Sequence, residues 1–507
     1  MRIHNECGKL SRVTRKLQFV GKDTTKIPVM ARILLRLITL LTLVALVLIP
    51  TAPGTAQETT PGPVYIVQEG DTLWSIAIQF GVSVDDLQEA NGLSNANQLA
   101  IGDRLVIPGM EGVLGVIVTE RVPYGETLRS LSRRYEIPVT AISQLNRLTS
   151  PSELFLGSYL IIPEGELGAN TSGRALLAPG QSLLELAALN HTNPWKLVEK
   201  NALQGTWHGL AGDVLRLPVE GVTSEASDGP GALPEEITYV SITPQSPLQG
   251  KTTVIEISAT QGMRFSGTFM GHELQVFPDE SGGYFALQGV HAMTEPGVYP
   301  LRLEGERSDG TVFVFSQMVR VSAVEYPYDR PLTVDPATID PAVTRPEDAI
   351  WTQLAVPATS ERLWESEFEI PSPLPKEYCV ETGECWSSRY GNRRSYNGSP
   401  YNSFHTGLDI VGGTGTEIFA PAPGIVVFAG PLTVRGNATM IDHGWGVYTA
   451  YMHQEEIFVQ VGDMVDTGQV IGFVGATGRV EGPHLHWEVW AGGVQVDPLD
   501  WLQGNYP

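Results

Sequence analysis

Cysteine is almost missing from this chain, with three residues in 507. Cys7 lies in a basic leader, which leaves only Cys379 and Cys385, in CVETGEC. So few thiols exclude a disulfide-dense scaffold, and a lone C-x5-C is a poor zinc motif. In an exported chain the pair is expected to close one small disulfide loop. Long apolar runs are missing as well. The best, residues 37–49 (LITLLTLVALVLI), is too short to cross a bilayer comfortably. Positive charge is scarce in the body of the chain. Residues 1–56 hold nine Lys/Arg against two Asp/Glu, a net of +7, so the remainder carries −30 of the total of −23. An acidic body repels phosphate, which argues against nucleic acid as a partner.

What is abundant is glycine and proline, 54 and 36 residues. Those numbers suit turn-rich β modules joined by linkers, and the length calls for three or more domains. The leader reads as a signal peptide: basic residues, an apolar stretch, then Gly54 and Ala56 before an expected cleavage. Its alternative is a retained N-terminal anchor, a transmembrane helix over residues 33–49 with Arg36 as the only charge. Met30 opens a signal of ordinary proportions, so residues 1–29 are read as an artefact of start-codon choice.

A shift of 55 residues lays the next part of the chain on itself. It aligns Gly70, Gly125 and Gly180, then Leu73, Leu128 and Leu183. It also aligns Asn91, Asn146 and Asn201, Gly102, Gly157 and Gly212, and Pro108, Pro163 and Pro218. Each copy runs from a short strand through a capping segment (GDTL in the first) into two helices and a closing strand, β-α-α-β. VYIVQEGDTLWSIAIQFGVSVDDLQEANGL with LAIGDRLVIP resembles a LysM module along its whole length. PYGETLRSLSRRYEIPVTAISQLNRL resembles one less closely. The third copy, APGQSLLELAALNHTNPWKLVEKNAL, has drifted and lacks the aromatic lead-in strand. The resemblance implies binding to N-acetylglucosamine-containing glycans. The copies span 64–108, 116–163 and 174–218.

A polar, acidic linker is expected over 219–236. Residues 237–323 then alternate in the β manner, with a hairpin turn at Ser308, Asp309 and Gly310. About seven short strands there suggest an immunoglobulin-like sandwich with a spacer or docking role. His272 and His291 lie in it without companions and read as structural. A Pro-rich connector follows over 324–375, with one helix expected at 346–362. Trp364, Phe368 and Ile370 are expected to lay it onto the last domain.

Five of the ten histidines fall between His405 and His486. His405 and Asp409 form H-x-x-x-D, and His484 and His486 form H-x-H. Residues i and i+2 of a strand share a face, so H-x-H aims two imidazoles into one space. Catalytic zinc takes three protein ligands and leaves a position for water, whose pKa it lowers while polarising a peptide carbonyl. Further histidines nearby would move protons or hold developing charge. Spacing alone does not say which histidines bind metal. The glycines of VGDMVDTGQVIGFVGATG stand at strand turns, and no helix N-terminus follows to cradle a phosphate.

The stretch from SSRYGNRRSYNGSPYNSFHTGLDI through GNATMIDHGWGVYTAYMHQ to GPHLHWEVW resembles the lysostaphin-type zinc metalloendopeptidases, over about 120 residues. The resemblance implies a mostly antiparallel β domain over 376–507 with a groove above one Zn2+. It implies His405, Asp409 and His486 as zinc ligands and His453 and His484 as catalytic histidines, with the choice of base left open. His443 is read as supporting the ligands or a turn, and Glu488 as orienting a ligand histidine or facing solvent. Two departures from the family pattern, Gln454 and the pair Val480 and Glu481, are expected to reshape the groove.

The sequence thus predicts a multidomain chain: three βααβ LysM modules, an immunoglobulin-like sandwich and a lysostaphin-type peptidase domain. Its expected partner is peptidoglycan, bound by its glycan through LysM and by its peptide through the peptidase. The expected place is outside the bacterial cell or in its envelope. The competing reading is a non-catalytic regulator of other wall hydrolases. Such proteins typically lose zinc ligands, and this sequence retains all three.

Overall fold

A computed structural model describes residues 62–95, 99–110, 113–164, 173–218, 229–383, 385–504 and 506–507. The expected signal peptide or membrane anchor lies outside these residues. No described helix is long and apolar enough to cross a membrane.

The first copy runs Val64–Ile66, Leu73–Phe80, Val84–Ala90, Arg104–Val106, in the expected β-α-α-β order. Thr72 caps its first helix by accepting from the Ser75 backbone, and Gly81 ends it at φ 68°. The second copy has Val116–Arg121, Leu128–Tyr135, Val139–Leu145 and Tyr159–Glu164. The third repeats the order with Arg174–Leu176, Leu183–Leu189, Pro194–Lys200 and Val214–Arg216. The recurring asparagine now has a physical reason. Asn91 Nδ2 donates to the carbonyls of Leu87 and Val106, both at 2.8 Å, and its Oδ1 accepts from the Val106 N–H at 2.7 Å. Asn146 and Asn201 tie their second helix to their closing strand in the same way.

The first two copies are fused rather than strung. Val64 pairs in parallel with Val116, which makes one four-stranded sheet over a common core. The second copy is also clamped from the other side. Its capping turn is covered by residues 230–233: the Ala232 N–H donates to the Gly125 carbonyl at 2.9 Å and Gly231 N–H to Glu126 at 3.0 Å. Glu126 is 2% exposed and also holds Arg134 at 2.6 Å. The linker expected over 219–236 is therefore corrected: from residue 229 on, it is packed chain. Pro230 and Leu233 supply the apolar contacts that hold it.

Eight strands follow where about seven were expected. One sheet has the order His272–Leu274, Arg264–Phe269, Gly297–Glu306, Val312–Val321, and the other Phe277–Pro278, Gly283–Gly289, Thr252–Ala259, Ile237–Thr243. Side chains of both sheets share one core, and Gly310 (φ 82°) turns the predicted hairpin. The immunoglobulin expectation extends no further than this layering.

The last domain is a ten-stranded antiparallel sheet. Its central path is Trp386–Ser388, Leu408–Val411, His484–Ala491, Val447–Ile457, Gly436–Asp442, Gly424–Leu432, Met464–Val465. The first of two corrections here concerns the sandwich, which is no free spacer. Phe277 and Leu287 from it, and Trp364 and Phe368 from the connector, lie in the same core as Trp445, Trp487 and Trp501. Phe277 stacks on Trp445 at 5.7 Å, and Lys251 reaches Asp497 at 2.9 Å and Asp500 at 2.7 Å. The second concerns the connector helix, which covers Pro341–Leu354, not 346–362. Asp340 caps the Ala342 N–H and Pro341 takes the first helical position, so the start signal lies upstream of Pro346. Trp364 and Phe368 do lay the connector on the sheet, and Sγ of Cys379 is bonded to that of Cys385.

This shared core makes a prediction. Residues 376–507 expressed alone lose Phe277, Leu287, Trp351, Trp364 and Phe368 from the apolar contacts. Each buried aromatic removed costs about 3–5 kcal/mol, enough to exceed the stability of a typical domain. The fragment is expected to be insoluble or to lack a cooperative melting transition, whereas residues 61–507, which keep these contacts and those of Tyr124 with the sandwich core, fold and melt cooperatively. Calorimetry of both pieces checks it.

Candidate metal centre

Three neighbouring strands build the site. His484 and His486 project from one face of His484–Ala491, and Leu485 between them is buried on the other. Asp409 stands directly opposite His486 in the antiparallel pairing, and Met452 flanks His486 on its other side. His405 arrives from the turn just before Leu408–Val411. Gly407 makes that turn possible, since a methyl group there would stand 2.3 Å from the Trp487 carbonyl oxygen.

His405 Nε2, Asp409 Oδ1 and His486 Nδ1 converge: the separations are 2.9, 2.9 and 2.7 Å, and all three residues are buried. His405 Nδ1 faces the Arg389 carbonyl at 2.9 Å, an acceptor, so the proton sits on Nδ1 and Nε2 offers a lone pair. His486 Nε2 faces Glu488 at 3.3 Å. Acceptor atoms thus crowd one small space. A proton on His486 relieves this in part and a cation relieves it fully, so the residues fit a divalent metal with two imidazoles and one carboxylate.

The electrostatics agree. Burial, helped by the Arg394 charge, pushes His405 down to about 4, which keeps it neutral. Burial alone would raise Asp409, but His405, His484 and Arg394 outweigh it and hold this carboxylate well below its usual range. Burial pulls His486 down, yet its bonds to Asp409 and Glu488 prevail and leave it raised. Burial would likewise raise Glu488, and His486 with Arg435 and Thr406 bring it to about 2.

Several supporting residues are visible only in three dimensions. Arg394 donates to the second oxygen of Asp409 at 2.8 Å and is itself held by Asp329 at 3.3 Å. Glu488 does not face solvent. Beyond His486 it accepts from Thr406 at 2.5 Å, Trp490 at 2.9 Å, Gln495 at 3.1 Å and Trp351 at 3.2 Å. Gln454 was expected to shape the groove, but it is fully buried and bonded to Thr439. Glu481 does line the groove, where Arg330 holds it at 2.8 Å.

His453 and His484 stand beside the cluster, with ring centroids 5.0 Å apart. His453 Nδ1 faces the Thr477 carbonyl at 2.8 Å and His484 Nδ1 that of Gly482 at 2.9 Å. Both rings therefore carry the proton on Nδ1 and leave Nε2 as the working atom, that of His484 lying 3.5 Å from Asp409 Oδ1. His453 sits at φ 64°, where the pairing with Gly436–Asp442 slips by one residue. A bulge re-aims a side chain, and a non-glycine residue there is strained, which suits a functional position. Burial, then His484 and His486, drive the His453 pKa far down.

His443 is not part of this shell. It is a core residue bonded to Pro423 at 2.7 Å and Thr449 at 2.8 Å, and burial pushes it down to about 4. A folded value below the unfolded 6.5 means the unfolded chain binds the extra proton first. The stability it contributes is therefore whole above pH ~6.5 and lost as pH falls to ~4, on the order of 3 kcal/mol. His443→Gln is expected to flatten that part of the pH dependence in urea unfolding between pH 7 and pH 4.

Two adjoining cavities of about 580 and 610 Å³ open on the cluster. The first is walled by His291 and Met293 from the sandwich and by Thr344 and Asp348 from the connector helix. The second is walled by Asp329, Glu481 and His484. Both are lined by Arg394, His453 and His486, so together they make a groove over the converging atoms.

Residues 403–498 match the family described as Peptidase family M23, and residues 65–108 and 121–163 match the LysM domain. The third copy is not matched, so the expected count of three LysM modules is reduced to two that the family supports. The DD-carboxypeptidase/endopeptidase Mpg of Neisseria meningitidis is 46% identical over 95 residues, 19% of this chain and 22% of that protein. The peptidoglycan DD-endopeptidase ShyA of Vibrio cholerae is 34% identical over 132 residues, 26% of this chain and 30% of that protein. The chain therefore spans less than a third of the length of these curated relatives. A solved putative peptidase M23 from Pseudomonas aeruginosa is 26% identical, with a TM-score of 0.39 over 51% of this chain and 95% of that one. A peptidase M23 domain and LysM domains are present in this chain.

Proposed function

We propose that this chain is an exported, glycan-tethered zinc metalloendopeptidase that hydrolyses peptide bonds in peptidoglycan stems or cross-bridges. The observation that carries the reading is the convergence of His405 Nε2, Asp409 Oδ1 and His486 Nδ1 within 2.9 Å of one another at the floor of a groove. These three would hold zinc. Zinc held there supplies a Lewis acid that polarises a carbonyl and brings water toward ionisation at neutral pH. Arg394 and Glu488 fix the ligands in orientation. His453 and His484, each locked by a carbonyl on Nδ1, take up and return a proton at Nε2 and donate to the oxygen that becomes negative.

The relatives' names refer to DD-endopeptidases. That supports a linkage between D-amino acids as the bond attacked. LysM modules would hold the enzyme to the glycan and raise its local concentration without any new contact at the site. The first copy suits this best, because the capping turn of the second is already covered by residues 230–233. The regulator reading is disfavoured, since all five site residues are present and mutually arranged. Digestion of purified sacculi tests the proposal. New amino termini without new reducing sugar ends are expected in the released muropeptides, read by mass spectrometry. Release of reducing ends, or of nothing, would reject it.

A further inference from the structure

The groove wall includes a side chain from outside the peptidase domain that nothing so far employs. His291 lies in the sandwich, outside the peptidase domain, yet it lines the cavity over the cluster. Its loop is anchored on both sides. Val290 and Ala292 are fully buried, the Gly250 N–H donates to the Val290 carbonyl at 2.7 Å, and Thr294 N–H donates to the His291 carbonyl at 2.9 Å. Lys251, next to Gly250, is pinned by Asp497 and Asp500. The His291 ring meets Phe404 edge to face at 5.0 Å, and Phe404 precedes His405. One packed ring thus separates the sandwich from a ligand residue.

The tautomer is set by the backbone. His291 Nδ1 accepts from the Met293 N–H at 3.1 Å, so the neutral ring carries its proton on Nε2. Among the described residues that N–H has no protein acceptor. Of the cations on the groove, Arg394 is committed to Asp409 and Asp329, Arg435 to Glu347 and Asp348, and Arg330 to Glu481, while Arg479 donates to the Thr338 carbonyl at 3.2 Å and lies over the Tyr396 ring. An extended peptide presents a carbonyl at every residue and needs donors along its track. We infer that His291 is a substrate-positioning residue, its Nε2–H donating to a carbonyl or carboxylate oxygen of the bound peptide, so that the sandwich forms part of the substrate site. The inference rests on the endopeptidase reading and names a specificity element for it.

The test uses the full zinc-loaded chain and soluble cross-linked peptide dimers from peptidoglycan. His291→Phe keeps the packing on Phe404 and removes the donor. Loss of one such hydrogen bond is expected to raise KM by about three- to tenfold. The kcat, zinc content and melting temperature stay at wild-type values. His291→Gln, which restores an N–H, recovers part of the KM. Wild-type KM in His291→Phe overturns the inference, and so does a loss confined to kcat or accompanied by lost zinc or a lowered melting temperature. If the wild-type chain cleaves nothing, it is the endopeptidase reading that fails. Calorimetric affinity for the same dimer then still compares the variants, and equal affinity rejects the role of His291.

Discussion

His486→Ala is expected to bring wall hydrolysis down by at least about 1,000-fold, to the level left after chelation, and to take zinc out of the purified chain. His486 is the residue on which the two other converging side chains close. Its Nδ1 stands 2.7 Å from Asp409 and 2.9 Å from His405 Nε2, and its far nitrogen is held by Glu488. Removing the ring leaves two ligands where catalytic zinc takes three. The fold should survive, because Glu488 keeps Trp351, Trp490, Gln495 and Thr406 as donors and Asp409 keeps Arg394. His405→Ala should behave alike. The measurements are metal content by mass spectrometry, turbidity loss of a sacculus suspension, and a melting curve to show the variant is folded. A folded variant with full zinc and full activity would remove His486 from the site.

His453→Ala is expected to separate binding of the metal from chemistry. His453 touches none of the three converging atoms within hydrogen-bond distance, and its ring centroid lies 6.0 Å from that of His486. Zinc should therefore stay at wild-type content. Activity should fall by about 100- to 10,000-fold, the range for losing a positioned proton donor or acceptor. The residue is held at φ 64° by a one-residue slip in the strand pairing. Relief of that strain should make His453→Gly melt above His453→Ala, with zinc kept and activity lost in both. Zinc kept while activity is lost distinguishes a chemical role from a ligand role.

How much of this was legible beforehand follows from the range of each interaction. H-x-H is local, because strand geometry alone puts His484 and His486 on one face. The asparagine of the repeat was visible as a period, though its reason, a tie between helix and closing strand fifteen residues apart, was not. Arg394 gave no signal, because it reaches Asp409 only after Arg393–Arg394 pairs with Ser403–Phe404. Asp329 stands 65 residues from the arginine it supports. Gln454 was misjudged for a related reason: the slip at His453 changes which side chains face inward, and a sequence does not display a slip. The sandwich looked like a spacer because its apolar residues alternate as in any sheet. Which of them, such as Phe277, pack outward against another domain depends on a partner far along the chain.

The most direct test of the account is the metal itself. The full chain, purified without added metal, should carry one zinc per molecule, lose peptidoglycan hydrolysis on chelation, and regain it on return of one equivalent of zinc. Hydrolysis that persists after the metal is gone, or a metal-free chain that gains nothing from added zinc, would contradict it.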